Sequence, residues 1–310
     1  MSASAVIGLV LRVDAKSCQV EVDGRRLTLP LLGRLFEERS AEKSPVAVGD
    51  RVRLRLDGDD GAIEEVLPRH SKLARRAKGD EEREQVLAAN VSLVLIVAAV
   101  REPPLQPLLI DRILASCARQ DLPAAIAFTK MDRDRRHEAE PWIALYRDLG
   151  YEVFPTSIQP GHETGESLAA LGRTLHENVT VLSGLSGVGK SSLINHLIPG
   201  VDLKIGSMSR IRQGKHTTTR TELIPLPGGG HVLDTPGIRN FALFGVDPQE
   251  LSFWFREFVD IARGCSFNDC THHHEPGCAV LAAVADGTIR PSRYESFRAI
   301  FDELSAPPEW

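Results

Sequence analysis

The chain lacks an excess of basic residues, a long apolar run, a secretory leader and a disulfide framework, and each absence narrows the field. Lys and Arg number 37 against 42 Asp and Glu, a formal net charge of −5. A nonspecific polyanion binder is therefore excluded, and any nucleic-acid contact has to come from a local basic patch. The longest apolar run, Val91 to Val100 with Ser92 inside it, is too short to span a bilayer. The opening MSASAVIGLVLRVDAK has no basic start ahead of an apolar segment and a small-residue cleavage site, so a cytoplasmic chain is expected. Of five cysteines, Cys18 and Cys117 are scattered in apolar surroundings, whereas Cys265, Cys270 and Cys278 are clustered. That usage points to a reducing compartment and one metal site rather than to disulfides. No internal repeat or low-complexity tract is present, and 310 residues of ordinary composition allow two or three domains.

What is there divides into three textures. From Val6 to about Leu67 apolar and polar residues alternate with period two, in GLVLRVD, CQVEVDG, RLTLPLL, DRVRLRLDG and AIEEVLPR. Five short strands in so compact a segment predict a small closed barrel, and an OB-fold is the commonest of that size. Next, RHSKLARRAKGDEEREQ carries Arg69, Lys72, Arg75, Arg76 and Lys78 ahead of a block of acids. It reads either as a solvated linker or as a phosphate-contacting strip beside the barrel. From Ala89 the runs NVSLVLIVAAV, PAAIAFTK, YEVFPTS and VTVLSG alternate with helical patterns at Leu108–Arg119, Pro141–Leu149 and Ser167–Glu177. Buried strands alternating with helices predict a parallel α/β sheet. TELIPLP and GHVLDTPG add two adjacent strands. DPQELSFWFREFVDIARG, CAVLAAVADG and RPSRYESFRAIFDEL are expected to be helical around the cysteine cluster.

Gly184, Gly189, Lys190 and Ser191 fit the G-x-x-x-x-G-K-[ST] phosphate loop after a strand and before a helix. Backbone N–H groups of the turn, which includes Gly187 and Val188, can curl around a β-phosphate. Lys190 supplies a point charge to the β and γ oxygens, the hydroxyl of Ser191 is available to Mg²⁺, and Ser192 follows on the helix. DTPG at Asp234–Gly237 ends a strand, where the carboxylate suits outer-shell binding of Mg²⁺ and the Gly237 amide suits a γ-phosphate. Between the two lies GKHTTTR, in which Thr218 or Thr219 is expected to complete the Mg²⁺ shell. Upstream, FTKMD places Lys130 and Asp132 after a buried strand. Asp132 can accept from the N1–H and exocyclic amine of guanine, a donor pair that adenine lacks. Lys130 can lay its stem over the base, and Ser157 of PTSI can bound it. The order is base reader, base edge, phosphate loop, first switch, second switch, a circular permutation of the usual GTPase order.

The cluster CSFNDCTHHHEPGC offers three thiolates and an imidazole to a tetrahedral Zn²⁺ with no open position, which makes the metal structural. On chemistry alone His272, His273 and His274 compete for the fourth place. Together with VGDRV, IEEVLPRHSKLAR, AANVSLVLIVAAV, GLSGVGKSSLIN, GKHTTT and DTPGIRNFAL, the cluster makes the chain resemble the RsgA/YjeQ family of circularly permuted ribosome-assembly GTPases over nearly its full length. The resemblance implies an OB-fold RNA-binding domain over 1–72, a permuted GTPase domain over 73–245 and a helical zinc-binding domain over 246–310. It implies slow GTP hydrolysis stimulated by the small (30S) ribosomal subunit during late maturation. Because the permuted order runs the second switch, Asp234–Gly237, straight on to the zinc domain, nucleotide state is expected to control docking and release. A monomer in contact with GTP or GDP, the subunit and its rRNA is expected, with no membrane partner. Cys265, Cys270, His272 and Cys278 are selected as the zinc ligands.

Two features depart from common GTPase patterns. The family's base reader usually starts with Asn, and here Thr129 lacks the carboxamide that ties base to phosphate loop, so selectivity is expected to survive through Asp132 and affinity to fall. Ile238 stands where many GTPases carry a water-orienting glutamine. His216, beside the switch threonines, is the candidate to orient or polarise the attacking water. Two rival readings make distinct predictions. A P-loop ATPase or kinase predicts that Asp132→Asn leaves nucleotide choice unchanged, and an RNA-binding module that no longer turns over predicts no subunit-stimulated phosphate release.

Overall fold

The computed structural model describes residues 6–33, 35, 42, 44–58, 60–77, 80–200, 221–234 and 247–306, with the side chains of 75–84 and 234 left aside. The N-terminal strands are β1 (Val6–Val13), β2 (Ser17–Val22), β3 (Arg25–Pro30), β4 (Arg51–Asp57) and β5 (Asp60–Val66). They pair antiparallel as β3-β2-β1-β4-β5, and a bridge between Leu31 and Ile63 brings β3 round to β5. The alternation seen in the sequence explains the closure. Val10, Cys18, Val20, Leu29, Val52, Leu54 and Ile63 point inward into one OB-type barrel core.

Arg69 to Gln85 is not an open linker. It forms most of a hairpin of β6 (Lys72–Ala77) and β7 (Asp80–Ala89), paired with each other as a separate two-stranded sheet. Arg69 is unavailable to phosphate: its guanidinium clasps Asp50 at 2.6 and 2.8 Å and Glu42 at 2.8 and 2.9 Å.

The second unit alternates β8 (Leu93–Ala99), α1 (Pro107–Arg119), β9 (Ala124–Thr129), α2 (Glu140–Asp148), β10 (Glu152–Pro155), α3 (Gly165–His176), β11 (Val179–Ser183) and α4 (Lys190–Leu197). After these come β12 (Glu222–Pro225) and β13 (His231–Asp234). The strand order is β10-β9-β8-β11-β13-β12, parallel except for β12. Helices cover both faces, which is why β8 reads as one apolar run. Val94 and Ile96 meet α1 and α2, while Leu93, Leu95 and Val97 meet α3 and α4. The sheet continues from β12 into β1 through the pair Arg12↔Glu222, making eleven strands in all. A register shift between Val10 and Arg12 lets β1 serve two cores, with Val10 in the barrel and Leu11 against Leu223 and Leu233.

The C-terminal unit holds α5 (Arg256–Val259), α6 (Ala279–Ala285) and α7 (Pro291–Ser305). The expected helix over DPQELSFWFREFVDIARG is broken into a 3₁₀ turn at Pro248–Trp254, α5 and a second 3₁₀ turn at Ile261–Gly264, because Phe255 is extended at φ −99°, ψ 104°. The break lets Phe255 and Phe258 both pack on Phe297. Fully buried Arg293 joins this unit to the sheet helices. It bonds Asp111 of α1 at 2.5 Å and Glu257 at 2.6 and 3.1 Å, while the Tyr146 hydroxyl of α2 donates to Asp111 at 2.8 Å. Burial works against the charge on Arg293, and the two carboxylates more than reverse it. No described helix is long and apolar enough to cross a membrane.

Candidate functional site

Parallel pairing sets the carboxyl ends of five strands at one edge of the sheet. Ala99 lies opposite Thr129, Phe128 opposite Pro155, Ile96 opposite Ser183, and Asp234 follows the pair Val181↔Leu233. The turn after β11 lies between neighbours reached by opposite directions of winding, the crevice where open α/β sheets take ligands.

The turn's glycines have steric reasons. Gly184 sits at φ +135°, and a Cβ there would stand 2.1 Å from the Val97 carbonyl oxygen of the adjacent strand. Gly189, at φ +98°, caps α4 in the left-handed region and leaves its first amides facing the turn. Lys190 Nζ donates to the carbonyls of Gly184 at 2.8 Å and Leu185 at 2.7 Å, so its ammonium curls over the centre of the loop.

The base-reading segment is tied to this loop at two points. The Thr129 hydroxyl donates to the Val188 carbonyl at 2.5 Å, so the residue expected to lose the tie retains one by its hydroxyl. Lys130, left-handed at φ +60°, donates from Nζ to the Gly187 carbonyl at 2.8 Å and to the Glu102 carbonyl. Burial, and then the neighbouring Arg133 charge, lower the Lys130 pKa. Asp132 Oδ1 accepts from the Ser157 hydroxyl at 2.9 Å, which aims the carboxylate across the end of β10. Thr156 fixes that strand end, its amide and hydroxyl both donating to the Phe128 carbonyl at 2.6 and 3.0 Å.

One open cleft of about 550 Å³ is lined by Thr129, Lys130, Asp132 and Thr156 along one part and by Gly189, Ser192 and Leu193 along another. Lys190 follows Gly189 directly, with its ammonium turned onto the Gly184 and Leu185 carbonyls. Thr156 falls within the PTSI segment singled out in the sequence, whereas Glu102 was not found by sequence reasoning. The signal for Glu102 is its place in REPP, in the turn that follows β8, where Arg133 pairs with its carboxylate. A wider bay next to this cleft is lined by Asp132 and Glu102 together with Arg101, Arg133, Arg135, Arg136 and His162, where Arg101 pairs with Glu138 and Arg133 with Glu102. His216, Thr217, Thr218, Thr219, Gly237 and Ile238 lie outside the described residues, as does the side chain of Asp234.

A second constellation lies in the C-terminal unit. Cys265, Cys270, His272 and Cys278 bring their ligand atoms within 4.8 Å of one another. His272 Nδ1 is 3.6 Å from Cys265 Sγ and 3.4 Å from Cys278 Sγ, and the two sulfurs are 3.9 Å apart. A tetrahedron with Zn–S of roughly 2.3 Å and Zn–N of roughly 2.0 Å has edges of about 3.8 and 3.5 Å, so the donor set fits such an ion. His272 is turned inward by a left-handed φ of +61° and held by Tyr294, whose hydroxyl donates to its carbonyl at 2.9 Å. His273 instead packs on Phe301, with ring centroids 4.9 Å apart. Glu275 accepts the amides of Thr271, His273 and His274, which with the Thr271 hydroxyl hold its carboxyl well below the usual range against the cost of burial. Cys18 and Cys117 are buried in the barrel and in the sheet core, away from the cluster.

Comparison with known proteins bears on both constellations. Residues 66–244 match the family model described as RsgA GTPase. The protein named small ribosomal subunit biogenesis GTPase RsgA from Bacteroides fragilis is 36% identical over 302 residues, covering 96% of each chain. Its namesake from Gemmatimonas aurantiaca is 40% identical over 285 residues, covering 91% of each. The crystal structure of YjeQ from Thermotoga maritima superposes with a TM-score of 0.80 at 32% identity, over 98% of this chain and 99% of that one. YloQ, described as a circularly permuted GTPase, gives 0.73 at 27% identity over 99% and 97%. With the phosphate loop third in the strand sequence β9, β10, β11 and the family match spanning more than half of the residues, this chain belongs to the RsgA GTPase family.

Proposed function

We propose that the protein binds and hydrolyses GTP in the cleft between Asp132 and Lys190, and that it does so on the small ribosomal subunit during late maturation. The observation that carries the reading is the single crevice lined by Asp132 at one part and by Gly189 and Ser192 at another. A carboxylate held by Ser157 matches the guanine donor edge, and backbone amides at the start of α4 match phosphate. Gly184, Gly187, Val188, Gly189, Lys190, Ser191 and Ser192 form the phosphate end; Thr129, Lys130, Asp132 and Ser157 form the base end. Mg²⁺, held through Ser191, Asp234 and Thr218 or Thr219, would neutralise charge on the phosphates. Gly237 meets the γ-phosphate and His216 orients water.

Small-subunit action follows from the names of the relatives, and RNA contact falls to the barrel over 1–72 and to the arginine-lined bay. The GTPase unit spans 73–245. The unit over 246–310 binds one structural Zn²⁺ through Cys265, Cys270, His272 and Cys278. We read the chain as a cytoplasmic monomer whose nucleotide state controls docking and release. Phosphate release from GTP and from ATP, with and without small subunits, tests the reading. GTP turnover should rise with subunits and fall to background in Lys190→Ala. Equal turnover of ATP, or no response to subunits, would overturn it.

A further inference from the structure

Phe253 and Phe267 are exposed to 65% and 48%, although both are large apolar side chains. They are not scattered. Both line one open groove of about 1040 Å³ on the C-terminal unit, floored in part by Val259 and Ala262. Isolated exposed apolar residues need no explanation, but two phenyl rings facing one groove mark an interaction surface.

The rim says what kind of partner fits. Asp247, Glu250 and Asp269 line it, against the single cation Arg263, which is already paired with Asp260 at 3.0 Å. Asp247 caps the turn at Pro248 by accepting the Gln249 amide at 3.0 Å, so its carboxylate is fixed in place. Glu250 and Asp269 are exposed and have no ion pair among the described residues. An anionic rim repels a phosphate backbone at close range. Phenyl faces framed by carboxylates instead match a cation on an apolar stem. Lys or Arg can lie over a ring while its stem covers the floor.

We propose that this groove binds a lysine- or arginine-rich peptide segment of a partner protein that also carries an apolar side chain. Asp247, Glu250 and Asp269 meet its charges, and Phe253 and Phe267 hold its apolar group. The assignment does not depend on the nucleotide reading.

Fluorescence anisotropy on the full, metal-loaded chain tests it with three labelled probes: a Lys/Leu peptide, a Lys/Ser peptide of equal charge, and oligouridine. The Lys/Leu peptide should bind at least tenfold more tightly than the Lys/Ser peptide. The double variant Phe253→Ser/Phe267→Ser should lose about tenfold in Lys/Leu affinity, and so should Glu250→Lys/Asp269→Lys, whose changes are on exposed side chains and serve as an independent test. Neither should weaken oligouridine binding. Unchanged peptide affinity in the charge-reversed variant overturns the proposal. Loss of oligouridine binding in the phenylalanine variant also overturns it, by making the groove a base-stacking platform.

Discussion

The Thr129 hydroxyl and the Val188 carbonyl, 59 positions apart in the chain, meet at 2.5 Å and bind the base-reading turn to the phosphate loop. A net hydrogen bond is worth about 1 kcal/mol, or roughly fivefold in affinity. Thr129→Val should therefore weaken GDP binding by about that factor, while Thr129→Ser, which keeps the hydroxyl, should not. Equilibrium titration with a fluorescent GDP analogue checks both.

Asp132 recognises by accepting two donors, so exchanging its oxygen for an amide should reverse what it accepts. Asp132→Asn should cut GTP affinity by two orders of magnitude or more. It should improve binding of xanthosine triphosphate, whose ring carries a carbonyl where guanine has its amine. Competition between the two nucleotides measures the ratio. An unchanged ratio would mean that Asp132 does not face the base.

The Cys265, Cys270, His272, Cys278 cluster should hold one zinc ion per chain, measurable by elemental analysis. Its removal by chelator, or Cys265→Ser, should lower the stability of the C-terminal unit by several kcal/mol. Nucleotide affinity should change by less than about threefold, because among the described residues the cluster shares no hydrogen bond with the cleft. A coupled collapse of GDP binding would contradict this separation.

Arg293 is buried between Asp111 and Glu257, and cutting it back leaves two carboxylates without a cation. Arg293→Met should cost about 3–5 kcal/mol in urea unfolding. Adding Asp111→Asn and Glu257→Gln should recover part of that loss, since the uncompensated charges are then gone.

Acid should weaken the same junction from its surface side. The Arg112 hydrogen bonds to Glu303, each 2.5 Å, hold the Glu303 carboxyl below its ordinary range. Because the folded pKa is the lower one, the contribution is full above the unfolded value of roughly 4.3 and is lost as pH falls through the folded value. The stability difference between wild type and Glu303→Gln should therefore shrink on acidification below about pH 4.5.

Much of this architecture is written locally. β8, β9 and β11 are continuous apolar runs because helices cover both faces, and that pattern survives without knowledge of partners. The glycines at 184 and 189 are legible for the same reason, since only a residue without Cβ fits beside the Val97 carbonyl or caps α4 so tightly. Arg69 was not legible: its basic neighbours suggested an open strip, while its acceptors Asp50 and Glu42 lie far upstream. The hairpin of β6 and β7 was hidden because KLARRA and DEEREQVLAA show no regular alternation of apolar and polar residues. The spacing of Leu251, Phe255 and Phe258 imitates a helix, yet Phe255 turns extended to reach Phe297. Choosing His272 over His273 requires a backbone angle that composition does not encode.

The pairing of Arg12 with Glu222 has a mechanical consequence. Backbone hydrogen bonds, rather than a tether, join the barrel to the strand pair β12–β13, whose ends flank residues 201–220 and 235–246. Torque applied to the barrel by anything it grips is passed through this pairing to the two strands that adjoin those segments. Displacing the barrel from the β12–β13 pair therefore means breaking the pairing of Arg12 with Glu222.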